Sequence, residues 1–281
     1  MSELVIGLLH PGEMGAAVGA QLTALGHPVC WASQGRGPDT AARAEAAGLS
    51  DVSSAAEVAR RSGVIVSVCP PHAAAPTAQA VAAAGFRGLF VDANAISPAS
   101  SRALGEVMAA AGADYVDGGI IGLTPTAERV TRLYLSGPRA AEVAALFAGT
   151  QLEAKVVDGR PGAASAVKMA YAAWTKGTAA LLLAARALAS AEGVQDALLA
   201  EWEFSQPALA ERTRSAARSA AVKGWRWVAE MEEIGQSMDA AGLPAGFGEA
   251  AAEVYRRQRR AGSADSPTPT EVVAALLRAR A

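Results

Sequence analysis

The stretch Gly7-Leu8-Leu9-His10-Pro11-Gly12-Glu13-Met14-Gly15 runs from an apolar segment into a helical one through three glycines and a proline. Glycine at such a junction does two things: it lets a ligand approach the backbone, and it lets a helix pack tightly on a strand. Gly12 and Gly15 stand where the second and third glycines of a G-x-G-x-x-G dinucleotide turn stand, and the following helix N-terminus offers unpaired N–H groups to phosphate. His10 takes the first glycine position, with Pro11 beside it as another means of fixing the turn. The pattern also serves a ligand-free strand–helix turn, in which His10 is simply a hydrogen-bonded turn residue. Residues His10, Pro11, Gly12, Glu13, Met14 and Gly15 are the expected cofactor contacts. A second constellation, Ala32-Ser33-Gln34-Gly35-Arg36, ends the next apolar run. NAD enzymes commonly carry an acid here for the ribose 2′-hydroxyl, but no carboxylate occurs before Asp39. Ser33 and Arg36 suit a 2′-phosphate instead, because guanidinium forms paired, charge-assisted bonds to its oxygens. NADP is therefore expected over NAD, unless Arg36 is only a solvated loop charge.

The elements that must position these residues follow from patterning. Leu4–Leu9, Pro28–Ala32, Val64–Cys69, Leu89–Asp92, Tyr115–Asp117, Leu133–Leu135 and Lys155–Val157 read as strands, and Glu13–Leu25 reads as a helix. Val64–Cys69 is apolar throughout, as in a strand covered on both faces. Ser97-Pro98 opens another helix with a capping residue and a proline. This alternation predicts a largely parallel, doubly wound α/β sheet. After Gly159 the strand signals stop. A proline-free, alanine-rich helix is predicted over residues 163–191, roughly 40 Å long. Shorter helices follow, broken near Gly193, Pro207, Gly224, Gly242-Leu243-Pro244 and Gly262, with a last one over Glu271–Arg278.

With 281 residues, half of them apolar, the chain can bury one large core or two ordinary ones. A net charge of −2 gives no electrostatic reason to expect nucleic acid. Cys30 and Cys69, the two cysteines, lie in apolar runs and read as small buried hydrophobes of a reducing compartment. No spacing of histidines or cysteines predicts a metal site. Leu4–Leu9 is too short for a signal peptide, and Thr178–Ala189, the most apolar helical stretch, falls short of the about 20 residues a membrane span needs. A cytoplasmic location without membrane partners is the expectation.

Five segments in order carry a resemblance. They are His10–Gly15, Val66-Ser67-Val68-Cys69-Pro70-Pro71, Val91-Asp92-Ala93-Asn94-Ala95-Ile96-Ser97-Pro98, Tyr115-Val116-Asp117-Gly118-Gly119, and Gly162–Lys168. Together they are similar to the motifs of the β-hydroxyacid dehydrogenase superfamily, which includes 6-phosphogluconate dehydrogenases and imine reductases. The resemblance implies a Rossmann-type N-terminal domain (1–160), a long connecting helix, and an all-α C-terminal domain (161–281) for substrate and dimerisation, with two chains interlocked. It implies that Cys69, Pro70 and Asn94 border the cofactor, Asn94 within reach of the nicotinamide amide or the substrate. It also implies that Lys168 is the catalytic acid/base. Hydride delivery to a carbonyl carbon leaves negative charge on oxygen, and a lysine in a partly desolvated cleft beside a cationic cofactor has a lowered pKa suited to proton exchange there.

The departures from the family pattern bear on substrate. Two asparagines usually follow the lysine; here Tyr171 and Ala172 do. Tyr171 shares a helical face with Lys168 and serves as hydrogen-bond donor, as the acid itself, or as packing. The family's carboxylate-binding Ser-Gly-Gly corresponds to Ile121, Gly122 and Leu123, which is more apolar. A Lys-Asp pair that borders the family's cleft is replaced by Glu230 and Glu232 on different helical faces; Glu232 is the one taken as a substrate contact, the alternative being a solvated acidic face. The leading expectation is an NADP-dependent oxidoreductase moving a hydride between nicotinamide and a small carbonyl or alcohol substrate. Imine reduction is the alternative within the superfamily, and a non-catalytic NADP-binding sensor is the alternative outside enzymes.

Overall fold

The computed structural model describes residues 4–258 and 267–278. The chain divides into two compact units, Met1–Met169 and Ala170–Ala281.

In the first unit, eight strands form one sheet in the order β3-β2-β1-β4-β5-β6-β7-β8. They are β1 (Ile6–Leu9), β2 (Val29–Trp31), β3 (Ser50–Asp51), β4 (Val64–Ser67), β5 (Leu89–Asp92), β6 (Asp114–Ile121), β7 (Thr131–Ser136) and β8 (Leu152–Val156). Every pairing is parallel except β6 with β7. Helices α1 (Glu13–Ala24), α2 (Pro38–Ala46) and α6 (Ala140–Leu146) contribute Val18, Leu22, Ala44 and Val143 to the core on one face, with Ile6, Leu8, Val64 and Val91. Helices α3 (Ala55–Arg61), α4 (Pro71–Ala83) and α5 (Pro98–Ala110) contribute Val58, Ala78, Val81 and Met108 to the other, with Ile65 and Phe90. Cover on both faces is why Val64-Ile65-Val66 reads as an unbroken apolar run; burying each such side chain contributes about 1.5–3 kcal/mol. Ser54 and Ser97 cap α3 and α5 through bonds from the amides of Glu57 and Ser100.

Most strand bounds move by one to three residues, and two strands depart further. Asp114–Ile121 runs four residues past the predicted Asp117. Glycines normally weaken a strand, but Gly118 and Gly119 face backbone too close for any side chain: a Cβ on Gly118 would lie 2.8 Å from the Asp92 carbonyl oxygen. The two-residue edge strand β3 carries too little pattern to be read from sequence.

Helix α7 (Ala163–Ala191) has the predicted bounds and continues into the second unit. That unit is otherwise built from α8 (Gln195–Ser205), α9 (Leu209–Ala240), α10 (Gly246–Arg256) and α11 (Pro269–Arg278). The breaks at Gly193, Pro207 and Gly242–Pro244 are present, and Gly262 lies outside the described residues. The break expected at Gly224 is absent, because α9 runs unbroken for 32 residues. Its glycines serve packing instead. A Cβ at Gly224 would stand 3.3 Å from the Tyr255 ring, and one at Gly248 of α10 would stand 2.5 Å from the Gly235 amide nitrogen. Buried contacts along both helices outweigh the about 1 kcal/mol helix cost of a glycine. No described helix is long and apolar enough to cross a membrane.

Candidate functional site

The carboxyl ends of β1 and β4 lie where the strand order reverses, which is the crevice used by ligands in open parallel sheets. His10 leaves β1 with φ +67, in the left-handed region natural to glycine. The expected first glycine is thus replaced in residue type but kept in backbone conformation, and it is His10 itself, rather than Pro11, that makes the turn. The Gly12 amide closes it by donating to the His10 carbonyl at 2.7 Å. At Gly15 a Cβ would lie 2.3 Å from that same carbonyl oxygen and 3.6 Å from Cβ of Val68. Gly12 differs: a Cβ there meets nothing within 4 Å, and its φ of −69 suits any residue. Nothing in the chain's own packing calls for glycine at position 12, whereas a phosphate seated on the backbone does. Helix α1 starts directly after Gly12 with no side-chain cap, at the end of a helix that attracts phosphate. The His10 Nδ1 is buried without a hydrogen-bond partner. Burial first, and the Arg36 charge second, lower the imidazole pKa to about 4, so it is neutral at neutral pH. His10 and Arg36 therefore share one neighbourhood. An uncapped turn, an orphaned ring nitrogen and a nearby guanidinium fit a dinucleotide.

The loop after β2 holds a residue that sequence reasoning missed. Trp31 and Asp51 are register partners across β2 and β3. The Asp51 carboxylate accepts the Ser33 amide at 3.2 Å and the Ser53 amide at 2.8 Å. The Ser33 side chain beside it, and then the Ser53 and Ser33 amides, hold its pKa below the ordinary carboxylate value. An acid does stand beside this loop, brought by the neighbouring strand rather than by the end of β2. Only recognition of the two-residue strand β3 would have revealed it. Ser33 sits against an acid, which leaves the Arg36 guanidinium as the cation for a 2′-phosphate.

Beyond β4 and β5 the loops are tied together by Asn94. Its Oδ1 accepts the Cys69 amide at 2.5 Å, and its Nδ2 donates to Ser67 Oγ at 3.2 Å and Asp92 Oδ2 at 2.8 Å. Both ends of this buried amide are occupied, so Asn94 shapes the Cys69-Pro70 loop from beneath. Cys69 is half-buried, and burial pushes its thiol pKa up to about 11, which makes it a poor nucleophile. Asp92 is fully buried. Burial pushes its carboxyl pKa up to about 7, against the pull of two bonds from Asn94, and the charge of its register partner Asp117 adds to the rise.

Lys168 stands in the second turn of α7, against β6. A Cβ on Gly119 would come within 2.9 Å of Lys168 Cβ and 3.0 Å of the Ala164 carbonyl oxygen, so glycine sets the distance between helix and strand. Asp117, Gly119 and Ile121 alternate onto this one face. Ile121 is buried there, Gly122 follows with φ +132, and Leu123 is exposed.

In the helical unit, Tyr171 is 46% exposed and Glu232 is half-exposed, ion-paired with Arg256 at 2.8 Å. The acid drawn inward is Glu230 rather than Glu232. Two residues along a helix reverse the direction of a side chain, and Glu230 lies on the side of Trp227, Met231 and Ile234. It pairs with Lys176, whose ammonium lies 5.4 Å from the Trp227 ring centroid.

Comparison with known proteins fits this geometry. The NAD binding domain of 6-phosphogluconate dehydrogenase matches residues 5–148, and a domain of unknown function, DUF1932, matches residues 189–258. No curated protein matches the sequence. Among solved structures, Mycobacterium tuberculosis 3-hydroxyisobutyrate dehydrogenase with L-serine is 20% identical, with TM-score 0.69 and all of both chains covered. A Streptomyces aurantiacus imine reductase is 18% identical, with TM-score 0.55, over 96% of this chain and 98% of that one. A reductive aminase from Aspergillus terreus, in complex with NADPH4, cyclohexanone and allyl amine, is 18% identical, with TM-score 0.56 and all of both chains covered. The chain belongs to the family of the NAD binding domain of 6-phosphogluconate dehydrogenase and is an NAD(P)-dependent oxidoreductase, with the fold of 3-hydroxyisobutyrate dehydrogenases and imine reductases.

Proposed function

We propose that the protein is an NADP-dependent reductase or dehydrogenase that moves a hydride between the nicotinamide and a small carbonyl or alcohol substrate, with Lys168 exchanging the proton. The observation that carries this reading is the seat of Lys168 on Gly119, which sets the Lys168 backbone and Cβ close against the strand whose end holds Ile121 and Gly122. When bound, the nicotinamide supplies the hydride. The first turn of α1 and the bare backbone of Gly12 bind its pyrophosphate. Lys168 then donates to the substrate oxygen as charge develops, with Tyr171 as the second donor on the helix. In oxidation the same amine accepts the proton. Pyruvate, benzaldehyde and 1-pyrroline assayed by NADPH oxidation test the reading: turnover of the first or second is expected, and a chain that turns over no carbonyl refutes it.

Imine reduction is the second reading. Ile121 stands buried where the family's serine stands, so that position offers no hydroxyl, and the exposed residue of the segment is the apolar Leu123; the reductase and aminase structures similar to this chain support the same reading. A clean preference for 1-pyrroline over the carbonyls decides for it.

NADP over NAD rests on Arg36, the cation beside His10. Charge-assisted bonds contribute about 1.5–3 kcal/mol, so Arg36→Ala is expected to raise KM for NADPH roughly 10–100-fold and to leave NADH kinetics nearly unchanged. Equal effects on both cofactors would remove the argument.

A homodimer is part of the proposal. Trp174, Leu181 and Leu188 recur every seven residues along α7 and are 66%, 68% and 65% exposed. Trp174 and Leu181 also line an apolar groove of about 700 Å³ between α7, α9 and α10, together with Phe247. So large an apolar stripe on one helix calls for a partner surface. Light scattering is expected to give twice the chain mass, and Leu181→Glu to halve it. A cytoplasmic location agrees with the two free cysteines.

A further inference from the structure

We propose that Asp117 is the positioning residue for Lys168, holding the first turn of α7 at one rotation so that the amine meets the substrate from a fixed direction. The proposal rests on the reading of Lys168 as acid/base.

Helix α7 is not capped by its own sequence. The residue before it is Gly162, with φ +91, where a Cβ would lie 2.8 Å from the Pro98 carbonyl oxygen; no capping side chain fits. The caps come from the sheet. Asp117 Oδ2 on β6 accepts the Ser165 amide at 3.0 Å and Ser136 Oγ at 2.8 Å. Ser136 Oγ, on β7, in turn accepts the Ala164 amide at 3.1 Å. Asp117 Oδ1 accepts Ser165 Oγ at 2.5 Å and Ser101 Oγ at 2.8 Å, and the Tyr115 hydroxyl lies 3.0 Å from Ser101 Oγ. All four acceptor directions of one buried carboxylate are used.

Rotation is the quantity this arrangement controls. A single backbone bond would let the helix start turn about its axis, but Asp117 grips Ser165 through both its amide and its hydroxyl. Lys168 follows Ser165 by three residues and so lies on nearly the same face. Gly119 sets how close the helix comes to β6, and Asp117 sets which way it faces. Neither touches the substrate.

The test reads the amine directly. The chain has four lysines, Lys155, Lys168, Lys176 and Lys223, so reductive methylation with ¹³C-formaldehyde gives few resonances, and Lys168→Met identifies the one that matters. In Ser165→Ala and Asp117→Asn the Lys168 methyl resonance is expected to change position and broaden, since the side chain no longer keeps one direction against β6. On the carbonyl substrate found in the panel, kcat is expected to fall between about tenfold and 10²-fold, with KM for NADPH within about twofold of wild type. In the Lys168→Met background the same substitutions should cost the residual rate nothing further. Should Asp117→Asn fail to fold, Ser165→Ala and Ser136→Ala, each removing one hydroxyl, decide. An unchanged Lys168 resonance, or losses that add to those of Lys168→Met, overturns the positioning role alone. A Lys168→Met kcat above about a tenth of wild type overturns the acid/base reading, and the proposal with it.

Discussion

Lys168→Met is expected to lower kcat by about 10²–10⁴-fold and to leave the dissociation constant of NADPH within about twofold of wild type. Methionine keeps the length and apolar stem of the lysine, so the packing on Gly119 survives while the proton donor is lost. The pyrophosphate turn and the Arg36 loop lie on β1 and β2, which the substitution does not touch. Stopped-flow or steady-state assays for kcat, and fluorescence titration of NADPH, separate the two quantities. A variant retaining more than about a tenth of wild-type kcat would show that the proton comes from elsewhere, with Tyr171 the first place to look. Tyr171→Phe in the same assay distinguishes a donor from a packing residue.

The second large effect is expected at Gly15. A methyl group there would stand 2.3 Å from the His10 carbonyl oxygen, a backbone atom that cannot swing aside as a flexible side chain can. Gly15→Ala must push α1 away from the turn, at a cost of about 3 kcal/mol or more in stability. NADPH binding is expected to weaken by about 10²-fold or more, because the helix amides and the bare turn are no longer together. Gly12→Ala is the informative contrast. Its methyl group enters open space, so the thermal midpoint should hold while NADPH binding falls. If Gly12→Ala binds NADPH as wild type does, the turn is a structural junction and not a phosphate site.

The sequence shows some of this site plainly and hides the rest, for physical reasons. The β-α alternation of the first half is legible because strands buried on both faces leave continuous apolar runs between helical stretches, as in Val64–Ser67 and Leu89–Asp92. The long α7 is legible because nothing in residues 163–191 can interrupt it except Gly177. The turn is legible by glycine spacing, but residue type conceals that His10 adopts the conformation of the glycine it replaces; a φ angle has no letter of its own. Asp51 stays hidden since its position depends on pairing of the two-residue edge strand β3 with the short strand β2, and pairing is not local. The same holds for Gly118 and Gly119, which look like the end of a strand and instead continue it under a helix. Glycines in α9 mislead in the opposite direction: propensity argues for a break at Gly224, and packing against Tyr255 overrides it. Of the two acids Glu230 and Glu232, helical geometry separates their faces, yet only the packing shows that Glu230 is the buried partner of Lys176.

The capping of α7 by β6 and β7 has a consequence for the order in which the chain assembles. A helix start without its own cap gains no end stabilisation until the groups that cap it are in place. Here those groups are on an antiparallel pair whose strands must first find each other, Asp117 opposite Ser136 in register. The turn that carries Lys168 therefore cannot settle before that pair has closed, however strongly alanine favours helix further along. Completion of the sheet and arming of the amine become one event, and a chain caught before it holds neither.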